Sequence, residues 1–292
     1  MELKKAPILC LATLLLCGAC DPFHTAFEPI EPAAVYEAQE QEAPPGTPTA
    51  LRVMTWNVKF GGGRIDFFFD CYGDRTLMSR QEVRSNVEGL AAIIRDTDPD
   101  ILLLQEVDIN SERSGFIDQL QLLLDSTPLN HAVYASQWRA DYVPSDGLGA
   151  VDNGNAILSR WPLLEAERVA LPLRTDQGAL TAYFYLRRNY LRARVDIPGR
   201  DNIWAVNIHT DAYGTDGTKE RQINLFHEEL TRLTEGGALV IGGGDLNAIP
   251  PSSDQVSAFP DSVCEDEEYQ ADDYSAEATW LDALYADFNP AI

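Results

Sequence analysis

Cysteine is scarce in this chain of 292 residues: there are five, and Cys10, Cys17 and Cys20 fall within the first 20 positions. A zinc site built on paired cysteines is therefore not indicated. Basic residues are few as well, 22 Lys and Arg against 46 Asp and Glu, for a formal charge of -24. A single-sign field of that size repels polyanions at long range and disfavours broad, non-specific binding of DNA. No apolar stretch approaches the ~20 residues that a membrane-spanning helix needs, and no repeat at solenoid period is present. What remains, 45% apolar residues with ordinary aromatic content, is enough to bury one large core or two modest ones and excludes wholesale disorder.

Lys4 and Lys5 precede an apolar run from Ile8 to Leu16, a positive start and a short hydrophobic segment, as expected of a targeting sequence over residues 1–19. Leu16-Cys17-Gly18-Ala19-Cys20 then places small residues before a cysteine and resembles the lipobox of bacterial lipoproteins, in which Cys20 would be the acylated first residue. The expectation is an exported protein, lipid-anchored in the cell envelope (periplasmic or outer surface), with plain secretion as the alternative. Cleavage there removes Glu2, Lys4 and Lys5, so the charge moves from -24 by one unit to about -25. Cys71 and Cys264 are then the remaining thiols, and in an oxidising compartment two readings are open: a disulfide between them, or two buried thiols.

Residues 20–50 carry Pro22, Pro29, Pro32, Pro44, Pro45 and Pro48 among glutamates without apolar periodicity, the composition of an extended tether. The folded domain is expected over 51–292. Strand-length apolar runs occur at Leu51 to Val58, Ile101 to Leu104, Asn155 to Leu158, Tyr190 to Ile197, Asn202 to His209 and Ala238 to Ile241. Val83, Val87, Leu90, Ala91 and Ile94 share a helical face behind a Ser79/Glu82 capping box and ahead of Pro99. A second helix is predicted through Phe116, Leu120, Leu123 and Leu124, and a third through Ile223, Phe226, Leu230 and Leu233 up to Gly236 and Gly237. Alternation in Leu191, Ala193, Val195 and Ile197, then Trp204, Val206 and Ile208 across a Pro-Gly turn, predicts an antiparallel hairpin with one buried face. The acidic stretch from Asp261 to Glu277 reads as a solvated loop. The sum is a mixed, layered α/β fold.

Four polar residues stand at or just past the ends of apolar strands: Asn57, Glu106, His209 and Asp245. Glu106 interrupts an otherwise buried strand, which is costly unless the carboxylate is paired or holds a metal, so it is a candidate ligand for a hard cation. Among four histidines, only His209 follows a hydrophobic strand, where its ring would stabilise an anionic transition state or else be a satisfied core residue. In Gly242-Gly243-Gly244-Asp245-Leu246-Asn247 the glycines are expected to let backbone approach a ligand, with two polar side chains beyond.

Taken together, Trp56-Asn57, Gln105-Glu106, Gly154-Asn155-Ala156-Ile157-Leu158-Ser159-Arg160, Asn207-Ile208-His209 and Gly244-Asp245-Leu246-Asn247 occur in an order that resembles the endonuclease/exonuclease/phosphatase superfamily. That resemblance implies a four-layered αββα sandwich of two mixed sheets, incomplete at its C-terminus, and a metal-dependent phosphoester hydrolase. It implies Mg²⁺, with Mn²⁺ or Ca²⁺ as alternatives, held by Glu106 with help from Asn57. Asp245 would orient or deprotonate the attacking water, with Asn247 and His209 holding phosphate oxygens. Asn57 and Asn155 are further phosphate-side candidates. The family's closing Ser-Asp-His segment is absent from the 45 residues after Asn247.

The expected substrate is a phosphodiester; the alternatives are a phosphomonoester, lipid or soluble, and a catalytically degenerate binding module. Nucleic acid, phospholipid and small phosphates all remain open as substrates, and no protein partner is expected. Arg187, Arg188, Arg192 and Arg194 form the one dense arginine cluster, read either as a polyanion contact or as a solvated strand face. Trp138 to Tyr142 is read as a surface loop or a specificity element.

Overall fold

The Ser79 hydroxyl accepts a hydrogen bond from the Glu82 N–H at 3.2 Å, and the Glu82 carboxylate accepts from the Ser79 N–H at 2.8 Å. This reciprocal cap starts helix α1 (Arg80–Thr97), which ends at a left-handed Asp98 before Pro99. Val83, Val87, Ala91 and Ile94 are all fully buried along its face, as their spacing predicts. The computed structural model describes residues 23, 25–70, 73–257 and 274–291. The targeting segment, Cys20, Cys71 and Cys264 lie outside the described residues.

Among the described residues, ten strands form two five-stranded sheets. One has the order β1 (Ile30–Pro32), β7 (Leu163–Ala170), β8 (Asn189–Val195), β9 (Ile203–His209), β10 (Leu239–Asp245). The other has the order β2 (Ala34–Glu37), β5 (His131–Val143), β6 (Gly149–Ser159), β4 (Ile101–Asp108), β3 (Val53–Asn57). Each sheet is mixed in the same way: the β9/β10 and β3/β4 pairs are parallel and every other pair is antiparallel. β3 and β10 are edges of their sheets among the described strands, and they lie across the sandwich from each other.

Helices cover both outer faces, which gives the four-layered αββα sandwich. α1 and α2 (Gln119–Leu124) pack on Leu102, Leu104, Ala156 and Leu158. The space between the sheets is filled by Ile101, Leu103, Val133, Ile157, Leu191, Ala193, Val195, Ile203 and Ala205. A short α3 (Ala179–Phe184) precedes β8, while α4 (Thr218–Glu235) and α5 (Asp282–Asp287) pack over Val206 and Ile208 through Ile223, Phe226, Leu230, Leu281 and Leu284.

Several expectations are corrected here. Residues 30–37 do not extend away as a tether: they supply β1 and β2, paired with β7 and β5. Both are edge strands, where Pro32 is tolerated, and side chains such as Val35 stay exposed, so no apolar alternation marks them. The chain then stays strapped to the domain, with Trp161 Nε1 donating to the Pro45 carbonyl at 3.0 Å and Arg200 Nη2 to that of Pro48 at 2.8 Å. Phe116 lies outside α2, half exposed and with φ 54. Trp138 to Tyr142 belongs to β5 and not to a loop. The β8/β9 hairpin forms, but both of its faces are buried: Leu191, Ala193 and Val195 face the opposite sheet, while Trp204, Val206 and Ile208 face α4.

The glycines of β10 serve packing. A Cβ on Gly242 would meet Leu230 at 2.7 Å, one on Gly243 would meet Leu103 at 2.9 Å, and one on Gly244, whose φ is 140, would lie 2.0 Å from the Ile208 carbonyl oxygen. They bring β10 close to α4, to the facing sheet and to β9, in place of the close ligand approach that their sequence suggests. Gly244→Ala should therefore cost ~3 kcal/mol or more in urea unfolding, as expected for a strained backbone combined with a clash. Gly89→Ala, at a helical site with open space around it, should stabilise by ~0.5–1 kcal/mol in the same assay.

Candidate active site

Along each inner strand the side chains change from apolar to polar towards one end of the sandwich. On β4 the inner face runs Ile101, Leu103, Gln105; on β9 it runs Ile203, Ala205, Asn207, His209. Two buried amides join the sheets at the change: Gln105 Nε2 donates to Asn207 Oδ1 at 2.7 Å, and Asn207 Nδ2 donates to the carbonyls of Leu104 at 2.8 Å and Ala156 at 2.9 Å.

Immediately beyond, β4 has a bulge. Leu104 pairs with Ala156 and Val107 with Gly154, so Gln105 and Glu106 together oppose the single residue Asn155. Glu106 has φ 61, a left-handed conformation that costs a non-glycine residue on the order of 1 kcal/mol. In a regular strand Glu106 would share the helix-facing side of Leu102 and Leu104; the extra residue gives that side to Val107, which joins their cluster. Glu106 is thereby turned towards Asn57, His209 and Asp245.

Asn57 joins the two carboxylates. Its Nδ2 donates to Glu106 Oε1 at 3.0 Å and to Asp245 Oδ2 at 2.9 Å, while its Oδ1 accepts from the Lys59 N–H at 3.0 Å, which fixes the amide's direction. His209 Nε2 lies 3.8 Å from Glu106 Oε1 and 3.7 Å from Asp245 Oδ2, beyond direct hydrogen-bond length. Burial, reinforced by the positive charge of Arg188, pushes the His209 imidazole well below its ordinary range and keeps it neutral near pH 7. Its Nδ1 is buried without a partner among the described residues.

Asn247 follows in a left-handed turn (φ 46). Its N–H donates to Asp245 Oδ1 at 3.0 Å, and its Nδ2 donates to the Thr210 carbonyl at 3.1 Å. Asn155 lies elsewhere: it is fully buried beside the bulge, with Nδ2 directed at the Asn189 carbonyl at 3.2 Å and Asn189 Oδ1 at 3.3 Å. The structure thus brings Asn57, Glu106, His209, Asp245 and Asn247 to one end of the sandwich and leaves the Asn155 amide between the sheets.

Sequence reasoning missed Arg188 as a site residue. It is buried, donates through Nη1 to Gln137 Oε1 at 3.0 Å, and keeps Nε without a partner among the described residues. Gln137 Nε2 continues to Asn153 Oδ1 at 2.8 Å, and Asn153 Nδ2 to Asp108 Oδ1 at 2.9 Å; Asp108 forms a two-pronged pair with Arg113, both bonds 2.9 Å. The other arginines of that cluster are committed elsewhere. Arg192 pairs with Glu167 and Glu229, Arg194 with Glu165, and Arg187 with backbone carbonyls. No polyanion-binding stripe remains there. Asp211, also unread, anchors the loop after β9 by accepting from the N–H groups of Tyr213 at 3.0 Å and Gly214 at 2.7 Å.

The donor set suits a hard divalent cation. Two carboxylates converge on one neutral amide, and among the described residues neither pairs with Lys or Arg, while the adjacent histidine is neutral. No cluster of three or more His, Cys, Asp or Glu side chains is arranged to hold a metal among the described residues.

The endonuclease/exonuclease/phosphatase family, as a sequence pattern, matches residues 54–262, a span that contains every one of these site residues. The chain belongs to that family. Among solved structures, an endonuclease/exonuclease/phosphatase from Beutenbergia cavernae is 21% identical with a TM-score of 0.49, over 80% of this chain and 53% of that one. TDP2 from C. elegans is 20% identical with a TM-score of 0.40, over 68% and 48%. A mannosyl-6-phosphatase from Bacteroides thetaiotaomicron is 18% identical with a TM-score of 0.43, over 68% and 66%. The chain spans about half the length of the first of these. No curated protein matches it.

Replacing Asn207 by Leu removes one acceptor of Gln105 Nε2 and the donor to the Leu104 and Ala156 carbonyls while keeping the volume. Loss of these three bonds should cost ~1–3 kcal/mol, measured by chemical denaturation, and a loss below ~0.5 kcal/mol would show that the sheets do not depend on this bridge.

Proposed function

We propose that this family member is a divalent-metal-dependent phosphodiester hydrolase of the cell envelope. The observation that carries the proposal is the convergence of Glu106 and Asp245 on the Asn57 amide, with neutral His209 beside both carboxylates, at the polar end of the sandwich. Glu106, assisted by the Asn57 side chain, would hold Mg²⁺ or Mn²⁺, which supplies Lewis-acid polarisation of a phosphoryl oxygen and stabilises the leaving group.

The chain's own residues account for the rest of the chemistry. Asp245 is held in place through Oδ2 by Asn57 and through Oδ1 by the Asn247 N–H, so its carboxylate is oriented to accept a proton from an attacking water. His209, neutral in a buried setting, would donate a hydrogen bond to a phosphate oxygen instead of contributing a full charge. Arg188, whose Nε has no partner among the described residues, would supply fixed positive charge near that ring. Asn247 presents the remaining amide at the same end of the sandwich.

Hydrolysis of bis(p-nitrophenyl) phosphate in Mg²⁺ or Mn²⁺, compared with p-nitrophenyl phosphate, tests the reading. Diester turnover should exceed monoester turnover and stop in EDTA. Asp245→Asn and His209→Asn should each lower kcat by ~10²-fold or more. Metal binding without turnover by the intact chain would replace catalysis with the binding-module reading, and faster monoester turnover would make it a phosphomonoesterase. For the envelope location, Cys20→Ser should move the protein from the detergent phase to the aqueous phase on Triton X-114 partition; unchanged partition would remove the lipid anchor from the proposal.

A further inference from the structure

Lys219 is a lysine in an unusual place. It is 2% exposed and lies in the first turn of α4, where the positive end of the helix dipole opposes a cation. Burying an ammonium ion is costly unless strong acceptors surround it. Here Nζ donates to the Asn247 carbonyl at 2.7 Å and to Glu277 Oε1 at 2.7 Å, with the Trp280 ring centroid 5.7 Å away. Glu277 and Trp280 come from the C-terminal segment, and Glu277 Oε2 has no partner among the described residues. The Glu277 end of the stretch expected to be a solvated loop is therefore committed to the interior.

The other end of this contact is the hydrolytic turn. Asn247 has positive φ, and three further bonds hold the same turn: Thr210 N–H to the Asp245 carbonyl at 3.0 Å, Thr210 Oγ1 to the Leu246 carbonyl at 2.6 Å, and Asn247 Nδ2 to the Thr210 carbonyl at 3.1 Å. All three involve Thr210, as donor in two and as acceptor in one. Lys219 supplies a charged hold from a different element, on the peptide that follows Asn247. Small displacements of such a turn are expensive in rate, since a ~1 Å error can cost about 10²-fold.

We propose that Lys219 is a positioning residue: its ammonium fixes the Asn247 peptide, and with it Asp245 and Asn247, against the C-terminal segment through Glu277. This rests on the hydrolase reading of the site but makes a structural claim that can be read without turnover.

The test uses Lys219→Met, Glu277→Gln and the double variant in the full chain. Lys219→Met alone strands the Glu277 carboxylate and is expected to destabilise the fold, so the double variant, which strands no charge, decides the question. Its thermal midpoint should return towards that of the wild type. Its kcat on bis(p-nitrophenyl) phosphate should stay at least about tenfold low while KM changes by about twofold or less. Deuterium uptake by the peptide covering 239–249 should be faster in the double variant than in Glu277→Gln alone, which keeps the bond to the Asn247 carbonyl. Recovery of kcat together with the midpoint, or equal deuterium uptake in those two variants, would overturn the proposal and leave Lys219 a packing residue. If the wild type turns over neither ester, the hydrolase reading fails by itself, and the exchange comparison still decides for or against Lys219.

Discussion

One extra residue in β4 sets the geometry of the whole site. Without the bulge, strand alternation would send Glu106 into the apolar layer beneath α1, where an unpaired carboxylate costs several kcal/mol. With it, Val107 fills that layer and Glu106 turns to meet Asn57. A bulge disturbs the ladder locally, and beside it the Asn207 amide, whose Oδ1 accepts from Gln105 Nε2, crosses between the sheets to donate to the Leu104 and Ala156 carbonyls. Glu106 is thus positioned by both sheets at once, which is why residues from β3, β4, β9 and β10 converge on one hub.

The polar end of the sandwich also resolves a conflict of charge. The chain is strongly acidic, and its site begins with two carboxylates sharing one neutral amide donor. Arginine is spent elsewhere on structure: Arg113 on Asp108, Arg192 on Glu167 and Glu229, Arg194 on Glu165. Arg188 is the exception, its guanidinium donating to the uncharged Gln137 amide and lying close enough to depress the His209 ring.

Much of this was legible in the sequence, and the remainder was hidden for identifiable reasons. The α1 cap, the core faces of α1 and α4, and the strand-end placement of Asn57, Glu106, His209 and Asp245 follow from local spacing. β5 was missed because its residues 132–137 are buried on both faces and show no alternation. β1 and β2 were missed because they are edge strands that bury too little to reveal a pattern. The β10 glycines were noticed, but their purpose was misread, because close approach to a ligand and close approach to Leu230, Leu103 and Ile208 leave the same trace in one dimension. Arg188 and Lys219 carry no sequence signal of their own: each looks like an ordinary surface cation until the fold buries it.

Burial of those two cations follows from how the site is supported. The hub residues sit on or just past the last residues of their strands, where ladder hydrogen bonds run out and side chains must fix the backbone. On the β9/β10 side that task falls to Thr210 and Lys219, which bond the turn after Asp245 at its carbonyls, while Asp211 anchors the loop after His209. On the β3/β4 side it falls to Lys59, whose N–H directs the Asn57 amide, and to the pair of Asp108 with Arg113 just after the bulge. Both strand ends are therefore held by polar contacts behind the hub, and none of those contacts uses the hub-facing oxygens of Glu106 and Asp245 or the Nε2 of His209. The support is complete without consuming those atoms, which is the condition a site needs in order to keep its chemistry available for a ligand.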